Sequence, residues 1–88
     1  MTFRSKALPE FWRLYDSLPE QIQRRAGKQF RLFSQNPAHP SIQLKPIGGL
    51  WSARVNDDYR ALAVREKDVF TWFWIGTHGD YDRLLRAV

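Results

Sequence analysis

The stretch 50–85, LWSARVNDDYRALAVREKDVFTWFWIGTHGDYDRLL, decides the fold of this chain. Three runs rich in β-branched and aromatic residues, 50–55, 59–65 and 69–77, are separated by two short polar segments. Such side chains suit the surface of a sheet, and short polar segments suit hairpin loops. The stretch therefore predicts three antiparallel strands followed by a short helical tail. The third run is apolar on both alternating faces, which is typical of a central strand covered above and below.

The lengths of the polar segments set the register of the first two runs. If residues 56–58 form a three-residue loop, Arg54 lies opposite Arg60. A two-residue loop would place Arg60 on the face that holds Trp51, so the pattern favours the longer loop. One face then carries Trp51, Ala53, Val55, Tyr59, Ala61 and Ala63, whose small alanines leave room for a packed helix. The other face carries Ser52, Arg54, Arg60, Leu62 and Val64.

The opposed pair Arg54 and Arg60 is the first functional signal. Two like charges directly opposite one another on a sheet repel unless something anionic lies between them. Two explanations remain open. The arginines form salt bridges with Asp57, Asp58 or Glu66, or they form a phosphate-binding face, for which the guanidinium fork is well shaped.

Composition indicates one small folded domain, 1–88. The chain has 88 residues, of which 43% are hydrophobic and 15% aromatic, enough for a single modest core. It has no cysteine, which excludes disulfides, thiolate zinc sites and thiol nucleophiles. It has no apolar run of membrane-spanning length and no signal-peptide pattern, so we expect a cytoplasmic protein without a membrane partner.

The positive charge of the chain is unevenly distributed. Of the net +5, residues 1–49 contribute eight Lys or Arg against three acids, whereas residues 50–88 contribute six against six. A basic small domain suggests a polyanionic or acidic partner.

Two amphipathic helices are predicted upstream of the sheet, after a short edge strand at 2–4. The first carries Leu8, Phe11, Trp12, Tyr15 and Leu18 at three- to four-residue spacing, with Pro9 in its first turn, and ends near Asp16. A capping box over residues 17–20 begins the second helix. Its buried stripe is Ile22, Ala26, Phe30 and Phe33.

The polar side of the second helix carries a basic stripe, Arg24, Lys28 and Arg31. Such a stripe is either a solvated face or a contact for a phosphate backbone. The prolines of 36–40 end the helix, and 41–46 alternates as a strand with Ile42 and Leu44 inward. Lys45 is then either an ordinary edge charge or a further cation on the face of the arginines.

The end of the chain holds the other chemical candidates, His78 and Tyr81. His78 lies where the third strand ends, and histidine is the side chain that changes protonation near neutral pH, which suits proton transfer. Tyr81 is expected in a surface cleft, where it can stack on a base. Alternatively, His78 binds a backbone group and Tyr81 closes the core. The acids and histidines show no metal-ligand spacing, so we expect neither a metal site nor a cofactor.

The order of elements resembles the RelE/ParE superfamily of toxins from bacterial type II toxin–antitoxin pairs. The resemblance is carried by WSARVNDDYRALAV (51–64), WFWIGTHGDYDRLL (72–85) and the helix-ending NPAHPSIQLKP (36–46). It implies an α+β fold with an N-terminal helical hairpin packed on a small antiparallel sheet, and a short C-terminal helix. It also implies a cognate antitoxin as partner.

The resemblance leaves two activities open, because the superfamily contains ribosome-dependent mRNA endoribonucleases and also inhibitors of gyrase. In the ribonucleases, an RNA 2′-hydroxyl attacks the adjacent phosphate without a metal. Arg60 then resembles the arginine that stabilises the phosphate, His78 the general acid or base, and Tyr81 the nearby aromatic. Arg54 and Lys45 are implied as further phosphate contacts, and the ribosome and mRNA as partners.

One position departs from the pattern of the ribonucleases. Some of them place a glutamate on the strand before Trp-Ser-x-Arg, where this chain has Gln43 and Lys45. His78 must therefore act as the base, or cleavage is slow. The alternatives are a non-catalytic ParE-like inhibitor of gyrase or another protein, and a degenerate toxin that serves as an interaction module.

Overall fold

The computed structural model describes residues 3–87 and shows a five-stranded sheet with helices on both faces. In chain order the elements are β1 (Arg4–Ala7), α1 (Pro9–Asp16), α2 (Glu20–Gln35), a 3₁₀ turn (Pro40–Ile42), β2 (Lys45–Ile47), β3 (Leu50–Arg54), β4 (Tyr59–Glu66), β5 (Val69–Thr77) and α3 (His78–Arg86). The predicted α+β fold, with its helical hairpin and short C-terminal helix, is confirmed.

The sheet order is β1-β5-β4-β3-β2, so β5 is an inner strand as predicted. Strands β2 to β5 pair antiparallel as predicted, whereas β1 runs parallel to β5, so the sheet is mixed and not wholly antiparallel. The parallel edge follows from the connection, because the chain leaves β1, forms both helices and builds the other strands before it returns as β5. Parallel strands need a crossover of this kind.

The predicted register of β3 and β4 is confirmed. Arg54 lies opposite Arg60, and Ala53 lies opposite Ala61. We name the sheet face that packs against α1 and α2 the hairpin face. Its buried sheet residues are Ala53, Val55, Ala61, Ala63, Phe70, Trp72 and Ile75, which form one cluster with Phe11, Ile22, Ala26, Phe33 and Ile42.

A β-bulge interrupts the alternation of side chains along β5. Leu62 pairs with Trp74 and Ala63 pairs with Trp72, so Phe73 is an extra residue without a partner in β4. The bulge shifts the alternation, so that Trp72 and Ile75 both face the hairpin. Trp74 lies on the opposite face, which α3 partly covers and which we name the α3 face.

The first helix differs from its prediction at two positions of its apolar stripe, Leu8 and Trp12. Phe11 is buried, but Leu8 and Trp12 are 38% and 48% exposed. Helix α1 has eight residues and packs on the sheet along one side only, so Trp12 rests edge-on against Phe11 and Tyr15 instead of entering the core.

The predicted capping box at residues 17–20 is wrong. Ser17 ends α1, because its hydroxyl donates to the Leu14 carbonyl at 2.8 Å. Pro19 occupies the N-cap position of α2 without a side-chain cap. The serine therefore satisfies the carbonyl of the helix before it, not the amides of the helix after it. The buried stripe of α2 agrees with the prediction, with Gln29 added and Phe30 only partly buried.

The predicted strand at 41–46 is also wrong. Residues Pro40–Ile42 form a 3₁₀ turn, and His39 caps it by accepting from the Ser41 amide through Nδ1 at 3.2 Å. Gln43 then adopts a left-handed conformation, so β2 begins only at Lys45. Ile42 is nevertheless buried, as expected, because the turn directs it into the core.

The remaining differences are small. Gly48 and Gly49 both have positive φ, 55° and 82°, and form the two-residue turn that joins β2 to β3. The edge strand expected at 2–4 is β1, which begins at Arg4, and Thr2 lies outside the described residues. Among residues 3–87 no helix is both long enough and apolar enough to cross a membrane.

Candidate active site

The two opposed arginines lie at one end of the α3 face. Arg54 ends β3, Arg60 is the second residue of β4, and Gly76 of β5 completes the same cross-strand row. Both arginine side chains are half-buried. Gly76 contributes no side chain, and the Trp74 ring fills that space, since a Cβ at Gly76 would lie 2.7 Å from the ring.

The guanidinium groups of the pair bind the β3–β4 loop. Arg54 donates to the Asp57 carboxylate. Arg60 donates to the backbone carbonyls of Asn56 and Tyr59. The pKa of the Asp57 carboxyl is held below its usual value. The largest cause is the hydrogen bond from Arg54, and the second is the positive charge of Arg54. The salt-bridge explanation therefore holds for Arg54, which pairs with Asp57. Arg60 has no acidic partner among the described residues and donates to backbone carbonyls instead.

His78 begins α3 and is fixed next to this loop. Its backbone amide donates to the Asp58 carbonyl at 2.7 Å. Its Nδ1 lies 3.1 Å from Oδ2 of Asp82, one helical turn later, and the imidazole is 45% exposed. We assign the Nδ1 proton to this contact, because an ionised carboxylate only accepts. Nε2 is then the nitrogen available to exchange a proton with a bound molecule.

Tyr81 is not in a surface cleft, so that part of the prediction is wrong. It is 5% exposed, and its hydroxyl donates to Oγ of Ser52 at 2.9 Å beneath α3. Its ring lies 5.6 Å from the His78 ring and 6.5 Å from the Trp74 ring, between centroids. The amphipathic helix turns this side towards the sheet, which matches the alternative that Tyr81 closes the core.

Lys45 lies on the same face as the arginines. It pairs with Ser52 across β2 and β3, and directly paired residues point to the same side of a sheet. Ser52 is two residues before Arg54, so Lys45 lies one cross-strand row away from the arginine pair. Lys45 is exposed on an edge strand. It is therefore both an edge charge and a further cation on the face of the arginines.

The basic stripe of α2 is separate from this site. Arg24, Lys28 and Arg31 are exposed on the outer surface of α2, which covers the hairpin face. Arg24 also pairs with Glu20 at 2.8 Å. The fold therefore puts the sheet between this stripe and His78.

Arg25 and Gln29 of α2 were not predicted as site residues. Both donate hydrogen bonds to the backbone at the end of β3, next to the arginine pair. Nε of Arg25 donates to the Val55 carbonyl at 3.1 Å. Gln29 is buried, and its Nε2 donates to the carbonyls of Arg54 at 2.9 Å and Ser41 at 3.0 Å. They lie four residues apart beside the buried stripe, which is the only sequence signal for them. Asp82 was not predicted either, although its i, i+4 spacing from His78 could have indicated it.

The site brings together residue types that can bind an anion and exchange a proton. Guanidinium groups donate to oxyanions, and an oriented imidazole exchanges protons. Within residues 3–87, no group of three or more His, Asp or Glu side chains is arranged to hold a metal ion.

The family model of the ParE-like toxin domain matches residues 20–83. The chain belongs to this family. The matched segment includes α2, strands β2 to β5 and both His78 and Asp82. No curated protein sequence matches this ParE-like toxin chain significantly.

Three solved structures have the same fold as this ParE-like chain. A chain of the archaeal RelE–RelB complex from Pyrococcus horikoshii is 25% identical, with a TM-score of 0.68 over 90% of this chain and 98% of that one. A chain of the RelBE2 toxin–antitoxin complex from Mycobacterium tuberculosis is 19% identical, with a TM-score of 0.71 over 89% and 100%. YafQ from E. coli is 12% identical, with a TM-score of 0.71 over 91% and 98%.

Proposed function

We propose that this chain is the toxin of a toxin–antitoxin pair and a metal-independent endoribonuclease that cuts mRNA on the ribosome. The observation that carries this proposal is the position of His78. An imidazole oriented by Asp82 lies beside the loop that binds Arg54 and Arg60. A surface that only binds a protein needs no oriented proton-transfer group next to paired arginines.

The reaction needs three operations on one phosphodiester. The 2′-oxygen of the ribose forms a bond to phosphorus and loses its proton, the bond to the 5′-oxygen breaks, and that oxygen takes up a proton. The products are a 2′,3′-cyclic phosphate and a free 5′-hydroxyl. The arginines stabilise the negative charge that develops on the phosphate oxygens, where their effect on the rate is largest. Nε2 of His78 takes the proton from the 2′-oxygen, and the leaving 5′-oxygen takes its proton from solvent water.

The remaining site residues have distinct proposed roles. Lys45 contacts a neighbouring phosphate, because it lies one row from the arginines on the same face. Tyr81 acts as a positioning residue, since its buried ring packs beside His78. Gln43 is exposed in the left-handed connection before β2, so no carboxylate takes the place of the family glutamate there. In this proposal, His78 therefore acts as the base.

The proposed partners follow from charge and from the solved relatives. Related chains were crystallised as RelE–RelB and RelBE2 toxin–antitoxin complexes, which supports a cognate antitoxin here. The outer stripe Arg24, Lys28 and Arg31 is proposed to contact the RNA backbone of the ribosome, away from the cut. Co-purification with the product of the adjacent gene tests the antitoxin, and absence of any binding neighbour contradicts it.

Induced expression followed by mapping of transcript ends tests the activity. New ends at codon-related positions are expected with the natural chain and not with Arg60→Ala. Arg60→Lys keeps the charge but loses the fork and is expected to restore cleavage only in part. Intact transcripts together with a DNA-damage response would instead indicate the gyrase inhibitor, and neither response would indicate a degenerate relative.

A further inference from the structure

Three arginines from three different elements converge on the β3–β4 loop, residues 55–58. Arg25 of α2 donates to the Val55 carbonyl, and Arg60 of β4 donates to the Asn56 carbonyl. Arg54 of β3 donates to the Asp57 carboxylate. A single short loop thus collects three guanidinium groups. Arg54 and Arg60 flank the loop, and the fold brings Arg25 to it from 30 residues before Val55.

The Asp57 carboxylate is the anion that this cluster holds. Its side chain is 91% exposed, whereas that of Arg54 is only 20% exposed. The pKa of Asp57 is lowered chiefly by Arg54, and the charges of Arg60 and Arg25 lower it further. All three cations therefore act on the position that this one carboxylate occupies.

The carboxylate is weakly held, although its position is strongly cationic. An exposed ion pair three residues apart stabilises a protein little, because water and salt screen it. Nothing covers Asp57, so it can leave Arg54 without opening the core. Among residues 3–87, Arg25 makes one side-chain hydrogen bond, through Nε, so both of its terminal nitrogens lack a protein partner. The cluster can therefore donate more hydrogen bonds than Asp57 accepts.

We propose that a phosphodiester of single-stranded RNA binds to Arg25, Arg54 and Arg60 by displacing Asp57 from Arg54. A phosphodiester offers two non-bridging oxygens to guanidinium forks, which is the geometry that arginine recognises best. Asp57 acts as an internal competitor that weakens binding to RNA, and Arg25 is a phosphate contact outside the Arg54–Arg60 row. This inference rests on the proposed function for its choice of RNA as the ligand.

The test measures the affinity of the full chain for a labelled RNA hexanucleotide that carries 2′-O-methyl groups. This probe has no 2′-hydroxyl to attack the phosphate, so binding is measured without cleavage. Asp57→Asn removes the competitor and is expected to tighten binding about two- to fivefold, the factor that a surface ion pair is worth. The dependence of log affinity on log salt should steepen by about 0.7, the value for one phosphate contact on a single strand.

Asp68→Asn is the matched control, because it changes the net charge by the same unit. Asp68 lies in the turn after β4, at the opposite end of that strand from Asp57. Eight strand residues span about 23 Å, which exceeds the screening length of about 8 Å at physiological salt. Asp68→Asn should therefore change the affinity much less than Asp57→Asn. Equal effects of the two variants would overturn the proposal.

Two further variants test the arginines. In an Arg54→Gln background, Asp57→Asn should no longer tighten binding, because the competitor acts through Arg54. Arg25→Gln should weaken binding and reduce the salt dependence, while Arg25→Lys, which keeps the charge and a donor for the Val55 carbonyl, should restore most of that dependence. A gain from Asp57→Asn that survives without Arg54 contradicts the competitor, and unchanged binding by Arg25→Gln contradicts the third contact.

The RNA-binding test of Asp57 and the transcript test of the proposed nuclease can fail independently of each other. If Asp57→Asn behaves as expected but no transcript is cut in cells, the phosphate site stands and the nuclease proposal fails. If transcripts are cut but Asp57→Asn matches Asp68→Asn, the nuclease proposal stands and the competitor is rejected. An effect of Asp57→Asn on antitoxin binding alone would reject RNA as the ligand of this cluster.

Discussion

His78 and Asp82 lie on successive turns of α3, and only the imidazole is expected to transfer a proton. His78→Ala should lower single-turnover cleavage on programmed ribosomes by about 10²–10⁴-fold and flatten its pH dependence. Asp82→Asn keeps an acceptor for Nδ1 and should lose less activity. Asp80→Asn, an acid of the same helix that pairs with Arg83, is the control and should stay near normal. A folded His78→Ala chain that cleaves at the normal rate would remove His78 from the mechanism.

Asp57 and Asp80 make folding sensitive to acid. Arg83 and Thr77 hold the pKa of Asp80 below the usual 3.8, chiefly through the hydrogen bond from Arg83. A carboxyl with a lowered folded-state pKa binds fewer protons than in the unfolded chain. Its contribution to stability is therefore present above pH 3.8 and is lost as the pH falls through the folded-state pKa. The same sign holds for Asp57.

Urea unfolding at pH 7 and pH 3 measures this acid sensitivity. Asp80→Asn should lose less stability between the two conditions than the natural chain, because its side chain cannot be protonated. Arg83→Gln removes the basic partner of the same ion pair. It should also reduce the difference in the free energy of unfolding between pH 7 and pH 3. If both variants show the full natural difference, the Asp80–Arg83 pair does not contribute to acid sensitivity.

At the scale of elements, α3 is held on the sheet by Tyr81. The buried hydrogen bond from Tyr81 to Ser52 predicts that Tyr81→Phe costs about 1–3 kcal/mol, because it leaves the serine hydroxyl unsatisfied. Tyr81→Ala should cost about 3–5 kcal/mol. Adding Ser52→Ala to Tyr81→Phe removes both partners and should restore most of the loss. Chemical denaturation measures all three, and an unchanged Tyr81→Phe variant would contradict this role.

The packing of α2 on the sheet predicts that a larger side chain at Ala61 lowers the stability of the fold. Ala53 and Ala61 line a cavity of about 30 Å³ beneath α2. The three extra carbons of Ala61→Leu need more room than this space offers without a shift of the neighbouring side chains. The expected cost is about 1–3 kcal/mol in the free energy of unfolding. Val64→Leu, on the same strand but exposed, is the control, and equal stability of the two variants would contradict the packing described.

The sequence predicts well where short-range patterns act alone. The polar loop at 56–58 and the alternation beside it are enough to set Arg54 opposite Arg60. Tyr81 was misplaced although its spacing to Leu84 and Leu85 marks the apolar side of α3, which is the side that packs on the sheet. Arg25 was missed because its partner Val55 lies 30 residues away. At 41–46, the cap from His39 outweighed an alternating pattern only a few residues long.

At the scale of the whole molecule, the sheet divides the positive charge into two surfaces. One is the arginine cluster with His78 beside the α3 face, and the other is the α2 stripe of Arg24, Lys28 and Arg31. In the proposed function, a phosphate meets the imidazole at the first surface. The second surface is proposed to attract a large polyanion without touching the reacting atoms.

This division predicts that binding and chemistry can be altered separately. Replacing Arg24, Lys28 and Arg31 together with Gln should weaken binding to programmed ribosomes and reduce its salt dependence. The single-turnover rate at saturating ribosomes should remain near normal, because the stripe makes no contact with the site. Arg60→Ala is the opposite case and should lower the saturating rate more than the affinity. If the triple variant loses rate at saturation while its unfolding curve is unchanged, the stripe belongs to the catalytic surface, and the proposed division of charge is wrong.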